Sequence, residues 1–599
     1  MINPLTTMKP LLLILLLVST LAYAVEAPYD VRDDWALQDN FEIEKDTEGY
    51  HLPSAIAFVP DPGGGPEDPL YFVTELRGSI KVVTNDRTVH TFAEGFFELK
   101  PREELPSQSG EMGLAGICLD PSRGYVFVTF TYQDEKGILR NNIMRFDSEP
   151  GTFSLKPVSR TAFTGIFADE YTSPSHQIGG CQVESGLLYV GVGDGHIRSD
   201  LHRDVYSGSQ NIDALQGKII RMTTDGEPVK DNPYYVDGDI KKPRNYVWAA
   251  GLRNPFGVKA VDGRIYAADN GSGTMDRFLE IRRGENYLWD GTEWSIGANA
   301  IQVLTPSDGV AQLDYNTVDG GPFPGPYSDR FFLARTGHPN YRKGMAQDRG
   351  IVILDYDAEA GRMRSAPQYF VRYTGKGKQV IAGLAIGPDG LYFVPVMPDT
   401  AGRSAVLKVL YKEGAVSRWS SPDGRDVISL LNSHQCYSCH IIHDYGFGNT
   451  GPALGGTVMK QRIGERLAST DYEESLAGLD ALDTEPYAAY REARKELMQK
   501  YGDERVKTWV KYHLLEPRFD NPFSQMPNTG LTENEAARIT DYLLNRDKDR
   551  AAEIGMKVRS VMSRFIPDLK YRHLVYSFVL GGAAAMLLAG VYTKYTRRK

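Results

Sequence analysis

Cysteine is scarce in this chain: four residues in 599, and none beyond Cys439. A zinc half-site at Cys436 and Cys439 would need a second ligand pair, and no later thiol exists to supply it. Charge of one sign is scarce too. The 67 Lys and Arg nearly offset the 77 Asp and Glu, leaving a formal −10, which is mild for this length and argues against nucleic acid as the partner. Long apolar runs lie at the two ends. The composition is otherwise that of a globular protein, with 41% hydrophobic and 24% charged residues. A length of 599 residues exceeds what one hydrophobic core supports, so more than one domain is expected. Sixty glycines and 34 tyrosines favour a turn-rich β architecture.

The most informative stretch is Cys436-Tyr437-Ser438-Cys439-His440. C-x-x-C-H is the attachment signature of a c-type haem. Two thiols at this spacing can form thioethers to the porphyrin, and the adjacent imidazole of His440 can bind the iron. A thioredoxin-like redox pair would not need that histidine. Downstream, Ser524-Gln525-Met526-Pro527-Asn528 precedes an amphipathic run from Leu531 to Leu544 of the kind that closes a small cytochrome. A Met526 thioether opposite His440 is the ligand pairing that raises a haem's potential for electron transfer. One covalent haem c is therefore expected. Gly451-Pro452-Ala453-Leu454 supplies the turn that lies against the haem edge in class I cytochromes.

The ends speak of export and of a membrane. Lys9, the apolar core Leu11 to Leu21 and Ala22-Tyr23-Ala24 form a secretory signal over residues 1–24, with an uncleaved N-terminal anchor as the alternative. Leu574 to Thr593 is twenty residues without a charge, enough to cross a hydrocarbon core of about 30 Å. The basic cluster Lys594, Arg597, Arg598 and Lys599 should keep the short tail cytoplasmic. The expected location is the inner membrane, single-pass, with the body on the periplasmic side. Residues 549–572 alternate charged and apolar positions and predict an amphipathic helix leading to the membrane. Cys118 and Cys181 could form a disulfide in an oxidising compartment or stand as two buried thiols, and spacing alone leaves both open.

Between residue 50 and about residue 412 a pattern recurs six times. It consists of an apolar strand, a Gly/Pro/Asp turn and a second strand rich in aromatic and β-branched residues. The second strands are Leu70–Val73, Tyr125–Val128, Leu187–Val190, Ile265–Ala268, Phe331–Ala334 and Leu391–Val394. Such a period marks a repeat architecture in which no unit buries its core alone, and antiparallel units usually solve this by radial closure. The expected fold is an all-β six-bladed β-propeller plus a small all-α cytochrome c domain and a single C-terminal transmembrane helix; a two-sheet sandwich is the alternative for the β part. The expected boundaries are a signal peptide at 1–24, the propeller at 25–415, the cytochrome at 416–548, a linker at 549–573, the membrane helix at 574–593 and a tail at 594–599. The charged stretch from Leu467 to Leu515 should be a helical insertion, a solvated decoration that covers haem edge or propeller surface.

Landmarks follow one another along the repeats: Val73-Thr74-Glu75 with Gly78; Gly113 to Ile117 before Asp120-Pro121; His176 with Gly179-Gly180; and Gly193-Asp194-Gly195. Then come Gly217 to Arg221, Gly251 to Gly257, Asn286-Tyr287 with Trp289, and Gly387 to Gly390. In this order they resemble the soluble glucose/sorbosone dehydrogenase family, quinoproteins that use pyrroloquinoline quinone (PQQ), over most of residues 50–412. The resemblance implies that His176 is the catalytic base, a role suited to a group titrating near neutrality. It implies that Arg253 and Asn254 contact PQQ, an Arg fork being suited to carboxylate and quinone oxygens. It further implies a Ca²⁺ held by the carbonyls of Gly271 and Ser272, oxygen donors being the right kind. The chain departs from the family at Ser175, where an acid is usual, at Glu111, where a Gln often touches substrate, and at Val380 and Ala382, where basic residues are usual. Lys376, Lys378, Arg335 or His338 could stand in for the latter, though none of them aligns with the missing positions.

The function implied is a membrane-anchored quinohaemoprotein dehydrogenase. It would oxidise a sugar, polyol or aldehyde with PQQ and pass electrons through the haem to a membrane oxidase or a soluble cytochrome. The alternative is an anchored electron carrier whose propeller is a non-catalytic binding or docking module; a propeller hydrolase, which would not need the haem, is a third reading.

Overall fold

In the computed structural model, residues 31–99, 112–168, 170, 172–195, 207–271, 275–291, 295–297, 299–304, 307, 309–337, 349–365, 367–375, 379–399, 402–416, 427, 430–431, 434, 436–443, 451–484, 486–526 and 528–545 are described. The signal segment, the linker at 549–573, the apolar run at 574–593 and the tail lie outside them, as do Glu111, Ser272, His338, Lys376 and Lys378. No helix among the described residues is long and apolar enough to cross a membrane.

The β repeats form six antiparallel sheets. The first blade is Pro53–Phe58, Pro69–Glu75, Ser79–Thr84 and Val89–Glu94, and the second is Leu114–Asp120, Tyr125–Gln133, Leu139–Asp147 and Ser159–Ala162. The third is Ile178–Glu184, Leu187–Val192, Lys218–Thr223 and Val247–Ala249, and the fourth is Pro255–Val261, Arg264–Asp269, Asp276–Ile281 and Gln302–Leu304. The fifth begins with Val310–Asn316, Arg330–Arg335, Gly350–Leu354 and Gln368–Tyr373, and the sixth with Ile381–Ile386, Leu391–Pro395 and Ala405–Tyr411. Each first strand packs against the first strands of both neighbouring blades, and the sixth returns to the first, so the ring closes as a six-bladed propeller. All six segments expected as second strands are second strands. They are apolar along nearly their whole length because neighbouring blades cover both faces, which removes the polar alternation of a one-sided sheet. Pro69–Glu75, for example, is buried at all seven positions.

The N-terminal stretch does more than lead into the propeller. Trp35–Leu37 pairs with Gln368–Tyr373 as the fifth strand of blade five. Phe41–Glu48 pairs with Ala405–Tyr411, with Phe41 opposite Tyr411, as the outermost strand of blade six. Trp35 and Phe41 bury their rings among aromatic residues of these blades, Tyr373 and Phe393 for the first, Phe323 and Phe370 for the second.

Near the axis each first strand carries a bulge, visible as a register shift just after its start: after Pro53, Leu114, Ile178, Pro255, Val310 and Ile381. Small residues stand at the bulges. A Cβ on Gly116 would lie 2.8 Å from the Gly180 Cα, and one on Gly383 would lie 2.9 Å from the Ala55 Cα. Six strands can approach one axis this closely only where side chains are nearly absent. The bulges bend the strand starts, as bulges do beside functional sites. Cys118 and Cys181, on the first strands of blades two and three, form a disulfide.

The described residues divide into two compact units. The first is the propeller with the segment Phe523–Asn528. Asn528 bridges in parallel to Gln368, and its N–H donates to the Pro367 carbonyl at 2.9 Å. The second holds the C-x-x-C-H motif and a set of helices: Gly456–Leu467, Thr470–Asp480, Arg491–Gln499, Gly502–Leu515 and Glu533–Leu544. The helical stretch expected between Leu467 and Leu515 is broken into separate helices that bury Leu476, Leu497, Trp509 and Leu514, so it contributes to the core of its unit.

Candidate active site

His176 and Arg253 occupy equivalent places on adjacent blades. Each stands two residues before the start of a first strand, Ile178 in blade three and Pro255 in blade four. The bulges thus deliver both side chains to the same end of the propeller. His51, Met112 and Gln379 hold the equivalent position on blades one, two and six. His176 is buried, with a left-handed φ of 53°, a conformation that costs a non-glycine residue energy and clusters at functional sites. Backbone bonds hold it there: the Gly195 N–H donates to the His176 carbonyl at 3.0 Å, and the Gly193 N–H donates to that of Gln177 at 2.8 Å.

The imidazole Nδ1 lies 2.7 Å from Oδ1 of Asp194. The Trp289 indole N–H donates to the other oxygen, Oδ2, at 2.9 Å, and the Asp194 N–H donates to the Arg253 carbonyl at 2.7 Å. A carboxylate on Nδ1 places that nitrogen's proton and leaves Nε2 as the basic nitrogen. Asp194 and Trp289 belong to two of the landmark motifs, but sequence gives them no role. Asp194 is 18 residues from His176 and 95 from Trp289, and only the blade geometry joins them.

Arg253 is buried. Its Nη1 donates to the Asn270 carbonyl at 2.9 Å, and its guanidinium lies 5.6 Å from the Trp289 ring centre. The remaining guanidinium nitrogens and the Asn254 side-chain amide make no hydrogen bond among the described residues. Beneath them Asp269 accepts from the backbone N–H groups of Arg253 and Asn254, the latter at 2.6 Å, and from Arg277 at 2.9 Å. Arg277 also donates to the carbonyls of Tyr287 and Gly251. This buried pair is saturated with bonds and fixes the turn that presents Arg253 and Asn254.

Gly271 is held by Asp276, which accepts from its N–H at 2.8 Å, from the Ser307 hydroxyl at 2.7 Å and from the Gly309 N–H at 3.1 Å. Burial pushes the Asp276 carboxyl up to about 6, opposed by these bonds and by the nearby charges of Arg335 and Arg253. Among the described residues no three His, Cys, Asp or Glu side chains converge as a metal site, so a calcium here would depend on backbone carbonyls such as that of Gly271. The unspent donors of Arg253 and Asn254 fit a flat, anionic, oxygen-rich ligand such as PQQ. Val380 and Ala382 offer no charge. Arg335 is buried on blade five and donates to the Tyr369 hydroxyl at 2.6 Å.

In the second unit the C-x-x-C-H motif begins as a short helix, Cys436–Cys439. Neither cysteine is in a disulfide, and both are half-buried. The His440 Nδ1 lies 2.8 Å from the Pro452 carbonyl and donates to it, which leaves Nε2 for iron. Gly451 is required beside it, because a Cβ there would lie 2.3 Å from the ring's Cε1. These features fit a covalent haem ligated by His440. Met526 is half-buried in the segment Phe523–Asn528, which groups with the propeller.

Residues 50–312 match the glucose/sorbosone dehydrogenase family. Among curated proteins, the aldose sugar dehydrogenase YliI of Escherichia coli is 23% identical over 219 residues, covering 35% of this chain and 53% of that protein. The quinoprotein glucose dehydrogenase B of Acinetobacter calcoaceticus is 23% identical over 277 residues, covering 42% of this chain and 53% of that protein. The chain thus spans about half the length of these relatives. Among solved structures, the PQQ-bound form of an aldose sugar dehydrogenase from Streptomyces coelicolor is similar at 22% identity, covering 62% of this chain and 100% of that one, with a TM-score of 0.45.

Proposed function

We propose that the propeller oxidises a sugar, or another polyol or aldehyde, with PQQ as electron acceptor. We further propose that the electrons leave through a c-type haem on the same chain to a membrane oxidase or a soluble cytochrome. The observation that carries this is the oriented base: His176 fixed by Asp194, with Arg253 presented from the equivalent position of the next blade. In a C–OH oxidation the hydroxyl proton passes to Nε2 of His176 as the carbon gives up its hydride. Asp194 holds the imidazole in the receptive tautomer and stabilises the cation that forms. PQQ, when bound, supplies the two-electron acceptor for the hydride. Arg253 and Asn254 bind and orient that group with their uncommitted donors, and the carbonyls of Gly271 and Ser272 would hold its Ca²⁺. Cys436 and Cys439 would hold the haem covalently, with His440 and Met526 as iron ligands. The segments at 1–24 and 574–593 support an exported body tethered by a C-terminal helix.

The test is substrate-driven haem reduction. The full chain is loaded with PQQ and Ca²⁺, and the haem α-band is followed as sugars, polyols and aldehydes are added. His176→Gln should lower that rate by about 10²–10⁴-fold, the usual contribution of a general base, while ascorbate still reduces the haem. A wild type inert to every substrate would favour the electron-carrier reading. Equal rates in wild type and variant would remove His176 as the base.

A further inference from the structure

We propose that the propeller carries a second ligand site, a cavity on blade six that binds a neutral saccharide unit. The cavity has a volume of about 400 Å³ and lies between the N-terminal segment and the loop joining the second and third strands of blade six. Its size falls in the range of small-molecule sites. That loop runs from Pro395 to Ala405, and Pro395 pairs with Ile381, where the first strand of the blade begins. The cavity is therefore at the end of the propeller that carries His176 and Arg253. Its N-terminal wall includes Arg32, Trp35, Lys45 and Glu48, which precede residue 50, where the family match begins.

The floor is apolar apart from one amide. Trp35, Pro395 and Leu407 are buried there, and Trp35 is fixed by ring contacts with Tyr373 and Phe393. Gln379 also lines the cavity and is only 4% exposed. Its Oε1 is buried with no hydrogen-bond partner among the described residues. The Val396 N–H donates to the Val380 carbonyl at 2.8 Å, which holds the adjoining backbone in place. A buried acceptor left unbonded is costly, and a ligand hydroxyl would satisfy it. The rim is charged but nearly balanced. Lys45 pairs with Glu48 at 2.7 Å, Arg403 pairs with Asp399 at 3.5 Å, and Arg32 is exposed. An anion entering here meets Glu48 and Asp399, and a cation meets the three basic side chains. A sugar hydroxyl both donates and accepts, which suits a rim where donors and acceptors stand in pairs. The C–H faces of the same sugar suit the apolar floor.

The test uses the full chain loaded with PQQ and Ca²⁺, with trehalose and methyl glucoside as probes. Neither has a free anomeric centre, so their binding is read apart from aldose oxidation and stands or falls separately from the dehydrogenase reading. Saturation-transfer NMR should show binding at millimolar concentration. Gln379→Leu removes the buried acceptor and should weaken binding by about tenfold. Met397→Trp fills the cavity from its loop and should abolish binding, with thermal melts confirming that each variant is folded. No binding by the wild type, or binding that both folded variants leave unchanged, would overturn the site. Glucose 6-phosphate binding more tightly than methyl glucoside would overturn the neutral ligand. Among substrates the chain oxidises, a KM that Met397→Trp raises for disaccharides and not for monosaccharides assigns the site to the far unit of the substrate. A KM unchanged for both, with probe binding lost, assigns it to a separate saccharide.

Discussion

At the scale of single residues, the site depends on two buried carboxylates that do different work. Asp194 holds the His176 ring through Oδ1, so Asp194→Asn should leave the fold and cofactor affinity in place but present the wrong tautomer. The expected loss in substrate-driven haem reduction is about 10²–10⁴-fold, with ascorbate reduction unchanged; a loss under tenfold would show that Asp194 does not set the tautomer. Asp269 serves the backbone of Arg253 and Asn254 through its fully buried pair with Arg277. Arg277→Met strands that carboxylate, and losing one partner of a buried ion pair costs about 3–5 kcal/mol. Chemical denaturation of the propeller should show it, and a change under about 1 kcal/mol would mean the pair is dispensable. His176 and Arg253 were legible in the sequence because they sit in motifs. Asp194 sat in a motif as well, yet its purpose is a contact with a ring on another loop, and a linear pattern does not show contacts.

At the scale of elements, the helix Glu533–Leu544 begins with a capping box. The Thr532 hydroxyl accepts from the Glu535 N–H, and the Glu535 carboxylate accepts from the Thr532 N–H. Burial acts to raise the Glu535 pKa, but the His434 ring and the Thr532 groups outweigh it and hold the carboxyl at about 2. A carboxyl depressed by folding stabilises fully above its unfolded pKa near 4.5, and loses that contribution as pH falls toward 2. Glu535→Gln should therefore destabilise the helical unit most near pH 6, with the gap to wild type narrowing by pH 3 in thermal melts. A gap that stays constant or widens toward acid would contradict the depressed pKa. The run from Leu531 to Leu544 was legible as this helix because its apolar positions share one face, whereas its capping box emerged only from the structure. Phe41–Glu48 was less so: it is an outer strand with exposed charges, and its pairing partner lies at the far end of the propeller sequence.

At the scale of the whole molecule, the six second strands announced the propeller through their uniform burial, whereas the pairing of Cys118 and Cys181 waited for the geometry. Their disulfide links the first strands of neighbouring blades across 63 residues of sequence. A loop of that length is stabilised by about 4 kcal/mol in the chain-entropy account. Cys118→Ser with Cys181→Ser should lower propeller stability by about that much, and an unchanged denaturation midpoint would show that blade packing alone sets it. The strand Phe41–Glu48 has a consequence in time. Its partner, Ala405–Tyr411, is made some 370 residues later, which at about 5–20 residues per second is roughly 20–75 s of synthesis. For that interval the first-made strand has no mate and the ring stands open. Its charged edge, with Glu42, Glu44, Lys45 and Glu48 facing outward, keeps the waiting strand from pairing with a stranger.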